Sequence, residues 1–199
     1  MKISCNDVDI QIATKAFSDG AIVVFPTDTV YGLGCNPYNH NAVLSIYEIK
    51  KRGKTKPFPV IGYSKKELQK IAEFNPLEEK IAEKFWPGPI TLILKVKDKK
   101  IQKSLSLDEK IAVRVPNNKC TLALLKECKL LVGTSANISG TNSFSDPKKC
   151  NENLSGYDLF IDGGIISSKG ESTIVEIKNN DVKILRKGTI TEEMIKELN

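Results

Sequence analysis

Short apolar runs that end abruptly in polar, hydroxyl-rich segments constrain this chain more than any other feature. AIVVF (21–25) is stopped by Pro26 and runs into PTDTVYGLG (26–34). ITLILKV (90–96), IAVRV (111–115) and KLLVGTS (129–135) repeat the pattern, and the last leads into GTSANISG (133–140). Runs of this length read as buried strands and are far too short to cross a bilayer. Helical periodicity fills the gaps between them. Ile10, Ala13, Ala16 and Phe17 mark one helix over 7–19, ended by Gly20, and Leu44 and Tyr47 mark another over 41–50. Ser64 and Glu67 predict a capping box for a helix reaching about Phe74, while Asn75, Pro76 and Glu78 predict the start of the next, closed by Pro87. TLALLKE (121–127) reads helical. Past residue 150 come the alternating runs YDLFID, STIVEI and DVKILR, the last two joined by the turn-like KNND, and then a short helix in TEEMIKEL. Helices and strands mix without strict alternation, which predicts one α/β domain over 1–199 with an open, twisted, mixed sheet flanked by helices.

Rare residues narrow the chemistry. The single histidine, His40, sits in the loop-like stretch NPYNHN, which argues against a Ser-His-Asp site and a histidine-rich metal centre. Five cysteines (5, 35, 120, 128 and 150) without a Cys-x-x-Cys read as reduced thiols, mostly core filler. No protein-held metal site is expected. Neither a P-loop nor Gly-x-Gly-x-x-Gly occurs, so phosphate chemistry here needs another cradle. The start, MKISCNDVDI, has no hydrophobic signal core, which sets the expectation of a cytoplasmic protein without membrane attachment. Hydrophobic residues at 40% and charged residues at 27% exclude a disordered or collagen-like chain.

Charge points to phosphate. The chain carries a net +6, and KKRGKTK (50–56) alone supplies five bases and no acid. A second cluster, KVKDKKIQK (95–103), sets five lysines against one aspartate. Such clusters suit a nucleotide or RNA, or else form a solvated face. Lys50 and Arg52 lie two apart and cannot share a helix face, yet at a fraying helix end both could turn to one anion. PTDTVYGLG offers hydroxyls as hydrogen-bond partners and glycines for close backbone approach. Ser135 and Asn137 in TSANISG could form an anion nest or a capped turn. Arg114 in IAVRVP and Arg186 in DVKILR lie in apolar strands and need partners.

In order, VFPTDTVYGLG, IYEIKKRGKTKPFPV, FWPGPITLIL, IAVRVP, TSANISG and STIVEI…ILRKG closely resemble the YrdC-like family, the threonylcarbamoyl-AMP synthases, over about residues 7–190. The resemblance implies the YrdC/RibB-like α/β fold with a concave basic face. Because the chain stops soon after Arg186, it also implies the form that lacks a C-terminal domain. The implied activity makes L-threonylcarbamoyladenylate and pyrophosphate from L-threonine, bicarbonate or CO2, and ATP. That product would serve threonylcarbamoyladenosine formation at position 37 of tRNA, with a partner transferase and a possible tRNA contact by this chain. By the same resemblance Lys50 and Arg52 are catalytic, and Lys50, Arg52, Lys56, Asn137, Ser145 and Arg186 contact ATP. Thr29, Ile61, Arg114, Ser135 and Ser172 hold threonine. Ile61 stands where many relatives have a histidine, and Mg2+ would arrive on the nucleotide. The competing expectation is a non-catalytic RNA-binding module of the same fold. A related carbamoyl-adenylate activity, as in hydrogenase-maturation carbamoyltransferases, is a more distant one.

Overall fold

The computed structural model describes residues 1–53, 56–168, 170–178 and 181–198. In chain order the first elements are β1 (Lys2–Ser4), α1 (Asp7–Ser18), β2 (Val23–Phe25), β3 (Gly32–Gly34), α2 (His40–Ile49) and β4 (Val60–Gly62). Next come α3 (Lys65–Leu68), β5 (Ala72–Glu73), α4 (Pro76–Phe85), β6 (Ile90–Val96), α5 (Lys99–Ser104), β7 (Lys110–Arg114) and α6 (Lys119–Cys128). The chain continues through β8 (Leu130–Val132), β9 (Thr134–Ser135), α7 (Pro147–Asn153), β10 (Leu159–Asp162), β11 (Thr173–Lys178), β12 (Asp181–Arg186) and α8 (Glu192–Lys196).

The sequence predicts one mixed sheet, and the structure divides it into two. One has the order β1-β10-β2-β3-β9; the other runs β12-β11-β6-β7-β4-β8, with β5 added beside β6. In the first sheet two parallel pairs (β1 with β10, β10 with β2) are followed by two antiparallel ones, while in the second parallel pairs (β11 with β6, β4 with β7) alternate with antiparallel ones. The division falls at Gly133. KLLVGTS is not one strand: β8 ends at Val132 on the second sheet, and β9 begins at Thr134 on the first. A Cβ at Gly133 would stand 2.9 Å from the Ile61 side chain, so glycine lets the chain cross there without displacing that side chain.

Local signals explain most of the helices. Asn6 caps α1, accepting from the Asp9 N–H, and Ile10, Ala13 and Phe17 are buried as the spacing requires. Asn75 and Glu78 form a reciprocal capping box with Pro76 in the first turn of α4. The Ser64 helix is a correction. It stops at Leu68, and residues 72–73 pair with β6 as a strand, because Ile71 and Ala72 are buried in the sheet's core. KNND loses Asn179 and Asn180 to the undescribed residues, as KKRGKTK loses Lys54 and Thr55. The second lysine cluster is mainly a solvated face: Lys95 pairs with Glu73, and Asp98 caps α5.

The cysteine reading also needs correcting. Cys35 and Cys150 are buried free thiols, as expected of core filler, but Cys5 and Cys120 form a disulfide with Cα atoms 5.6 Å apart. Their separation of 115 residues hid the pair from any motif search. They meet because α1 packs on α6, where Ile10, Ala13 and Phe17 join Leu124 and Leu125 in one apolar cluster. No helix among the described residues is long and apolar enough to cross a membrane.

Candidate active site

A cavity of about 590 Å3 lies where the ends of β2, β3 and β9 face strands β4, β6, β7, β11 and β12 of the other sheet. Eight of the eleven residues singled out from the sequence line it: Thr29, Arg52, Lys56, Ile61, Arg114, Ser135, Ser172 and Arg186. They come from segments up to 157 positions apart (29 to 186). Lys50, Asn137 and Ser145 do not line it.

The deepest corner is built around Arg114, which is 7% exposed at the end of β7. Its Nε donates to Gly88 O at 3.0 Å, Nη1 to Thr29 Oγ1 at 3.2 Å and Nη2 to Asp28 Oδ1 at 2.5 Å. A guanidinium has five N–H bonds, so two stay free for a ligand. Burial lowers the Arg114 pKa and the Asp28 carboxylate opposes that shift; Arg186 nearby lowers it further. FWPGP thus finds a use: Gly88 holds Arg114 through its carbonyl and accepts a fixed place through its N–H to Val115 O.

The hydroxyls beside Arg114 are oriented by the protein. Thr27 Oγ1 donates to Val30 O at 2.6 Å and receives the N–H groups of Thr29 and Val30. The two threonine hydroxyls lie 3.0 Å apart, and Thr29 Oγ1 also accepts from Arg114 Nη1. Ser135 Oγ likewise donates to Asn137 Oδ1 at 2.6 Å. Ser135 therefore meets the cavity as an acceptor, the right partner for an ammonium, with the Thr29 hydroxyl also on the cavity wall. The loop that carries Thr27 and Thr29 is clamped by α6, whose Thr121 hydroxyl donates to Pro26 O and whose N-cap Asn118 reaches Thr27 O at 3.4 Å. The glycines of PTDTVYGLG serve packing: a Cβ at Gly34 would lie 2.0 Å from Val132 O.

The outer rim is built differently. α2 ends with Lys50 as C-cap, and Lys51 adopts φ +49°. Arg52 N–H then bonds Tyr47 O and Lys51 N–H bonds Glu48 O, which is a Schellman ending with lysine where glycine is usual. That reversal settles the two-apart problem. Lys50 turns inward, Lys51 faces solvent, and Arg52 swings to the cavity. Arg52 donates to Lys56 O at 2.9 Å and lies over the Phe58 ring, 5.1 Å from its centre.

Lys50 is 2% exposed, and its ammonium donates to Ser135 O (2.5 Å), Asn137 O (2.7 Å) and Asn137 Oδ1 (3.2 Å). All three protons are used on neutral oxygens, so Lys50 supports the TSAN loop from beneath and does not face the cavity. Burial, reinforced by Arg52, lowers its pKa to about 8. Asn137 ties the same loop to Thr141 O at 2.7 Å. Ser145 accepts the Ile166 N–H on its carbonyl.

Five cations line the cavity: Arg52, Lys56, Lys110, Arg114 and Arg186. Carboxylates neutralise three: Asp28 takes Arg114, Glu176 takes Lys110, and Glu171 takes Arg186 at 2.5 Å. Among the described residues Arg52 and Lys56 have no such partner, so the unbalanced positive charge sits at the rim. Arg186 also donates to Ser172 Oγ at 2.8 Å, and Ser172 exchanges a hydrogen bond with Thr91 at 3.0 Å. Sequence reasoning missed Thr91, Lys110 and Glu171 and gave Asp28 no role. A carboxylate directly before Ser172 in a glycine-flanked segment was the available signal.

The fold and cavity define an α/β protein with a partly buried, cation-lined site between two mixed sheets. The family described as Telomere recombination (Sua5/YciO/YrdC) matches residues 15–188, and the chain belongs to that family. It is 34% identical over 198 residues to the threonylcarbamoyl-AMP synthase of Bacillus subtilis, covering 98% of this chain and 57% of that protein. It is 35% identical over 184 residues to a putative threonylcarbamoyl-AMP synthase of Methanocaldococcus jannaschii, covering 91% and 86%. Pyrococcus abyssi Sua5 complexed with L-threonine superposes with a TM-score of 0.89 at 33% identity, over 100% of this chain and 60% of that one. Escherichia coli YciO shares the fold, with a TM-score of 0.88 at 24% identity and 98% of both chains covered. The chain thus spans little more than half the length of the Bacillus and Pyrococcus proteins.

Proposed function

We propose that this chain is a threonylcarbamoyl-AMP synthase, a nucleotidyltransferase that makes L-threonylcarbamoyladenylate and pyrophosphate from L-threonine, bicarbonate or CO2, and ATP. The observation that carries this reading is the juxtaposition of two unlike halves in one cavity. Arg114 keeps two N–H bonds for a carboxylate, Ser135 presents an acceptor to an ammonium and Thr29 adds a hydroxyl, which is the pattern of an amino acid. Arg52 and Lys56 add cations without carboxylate partners on the same wall, which suits a polyphosphate. The threonine complex of the Pyrococcus relative and the names of the Bacillus and Methanocaldococcus relatives support the same assignment.

The chemistry needs no protein nucleophile. The substrate amine adds to CO2, losing a proton, and the carbamate oxygen attacks the α-phosphorus of ATP as pyrophosphate leaves. Lowering that barrier is a matter of positioning and of cations facing phosphate charge. Arg52 and Lys56, with Arg186 released from or shared with Glu171, would meet that charge. Lys50 would act by fixing the loop that presents Ser135. Glu171 is the one carboxylate lining the cavity among the described residues, and Arg186 occupies it. The accompanying Mg2+ would therefore be held by the nucleotide, where it would offset triphosphate charge.

Its product would be consumed by a transferase acting on position 37 of tRNA, in the cytoplasm, with possible contact between this chain and the tRNA. A non-catalytic RNA-binding module is the weaker reading, because hydroxyls and a buried arginine in a recess do not meet an RNA backbone. The test is product analysis after mixing pure protein with ATP, bicarbonate and labelled threonine. A threonine- and bicarbonate-dependent adenylate is expected. Salt-sensitive tRNA binding with no such product would favour the module.

A further inference from the structure

We propose that Asp28 is a positioning residue that aims Arg114 at the carboxylate of the amino-acid substrate, an inference that rests on the amino-acid reading of this cavity. Asp28 does not line the cavity; its neighbour Thr29 does. Asp28 Oδ1 accepts from Arg114 Nη2, whereas its Oδ2 is buried with no hydrogen-bond partner among the described residues. A largely buried ion pair with one carboxylate oxygen unmet is a poor device for stability alone, since apolar side chains of similar volume in place of both partners would be about as stable.

Its geometry gives it another use. Gly88 O, Thr29 Oγ1 and Asp28 Oδ1 each hold a different nitrogen of Arg114, which fixes the plane of the guanidinium and leaves one N–H on each terminal nitrogen. Asp28 and Thr29 are adjacent on a loop that α6 clamps at Pro26 and Thr27. The same loop therefore positions the arginine and presents the Thr29 hydroxyl beside it. Arg186 also lies close enough to disfavour the Arg114 charge, and Asp28 offsets that repulsion. Without its negative charge the guanidinium would turn from Arg186 and lose its alignment.

Steady-state kinetics of adenylate formation by Asp28→Asn test this, alongside thermal melting. The variant is expected to raise the KM for L-threonine about tenfold or more while the KM for ATP stays within about twofold, because the nucleotide meets other cations. Asp28→Glu keeps the charge but shifts it by one methylene, and an intermediate rise in threonine KM of about threefold is expected. It also serves if the amide variant fails to fold. An unchanged threonine KM in either folded variant, or an equal rise in both KM values, would overturn the proposal. A wild-type protein that forms no threonine-dependent adenylate would sink the amino-acid reading itself, which separates the two failures.

Discussion

The inner corner and the outer rim of the cavity use the same residue type for opposite purposes. Arg114 is buried, neutralised by Asp28 and held at three nitrogens. Arg52 is half-buried, bonded only to backbone carbonyls and stacked on Phe58. The first arrangement fixes direction and tolerates little change; the second leaves charge available. An arginine becomes a shape-reading group when its charge is cancelled nearby, and a phosphate-attracting group when it is not. Lys50 and Lys51 extend the contrast, one spent entirely on the fold and the other on solvent.

Breaking the support behind the corner should give the largest effect. The Cys5–Cys120 crosslink joins the segment before α1 to the first turn of α6, which clamps the Thr27–Thr29 loop. Its removal by Cys5→Ser, or by reductant, is expected to lower unfolding free energy by about 2–4 kcal/mol. Urea denaturation with and without reductant measures this, and superimposable curves would show that the crosslink contributes nothing.

Lys50 offers a pH test of similar size. Its folded pKa, near 8, lies below its ordinary value of 10.5. Between those values the unfolded chain binds a proton that the folded chain has released, so stability rises with pH across that window, by about 3 kcal/mol at most. The difference in unfolding free energy between wild type and Lys50→Met should grow from pH 8 to 10.5. A flat difference would mean that the ammonium stays charged beneath the TSAN loop.

At the rim, Arg52→Ala should reduce kcat/KM about tenfold or more, corresponding to loss of one strong charge-assisted contact of about 1.4 kcal/mol. Lys51→Ala, which alters a solvent-facing side chain, should change it less than about twofold. Steady-state assays of both decide the matter, and equal small effects would contradict the divergence of Arg52 from Lys51.

The rim was more legible in the sequence than the corner. Five bases in KKRGKTK announce themselves by composition, and helix geometry correctly warns that Lys50 and Arg52 diverge. What decides their fates is the left-handed turn at Lys51, which no glycine signals. Arg114 was readable as a buried strand arginine in need of a partner, yet Asp28 lies 86 positions away in the loop between β2 and β3. The same distance problem hid Cys5–Cys120. The strands themselves were read well where apolar runs were long, as in ITLILKV, and poorly where pairing is brief. β3 and β9 hold three and two residues, too few for any periodicity, and only their antiparallel pairing makes them strands. Thr29 and Ser135 were legible as candidate ligands, but not the direction of the Ser135 proton, because that depends on Asn137 as a fixed acceptor.

Salt dependence of binding tests the division between corner and rim most directly. Calorimetric titration of the wild-type protein with ATP and, separately, with L-threonine should be carried from low to high KCl. Uncancelled rim charge predicts that ATP affinity falls at least about tenfold across that range, while threonine affinity, set by buried and neutralised contacts, stays within about threefold. Threonine binding that weakens as steeply as ATP binding, or ATP binding indifferent to salt, would contradict the account.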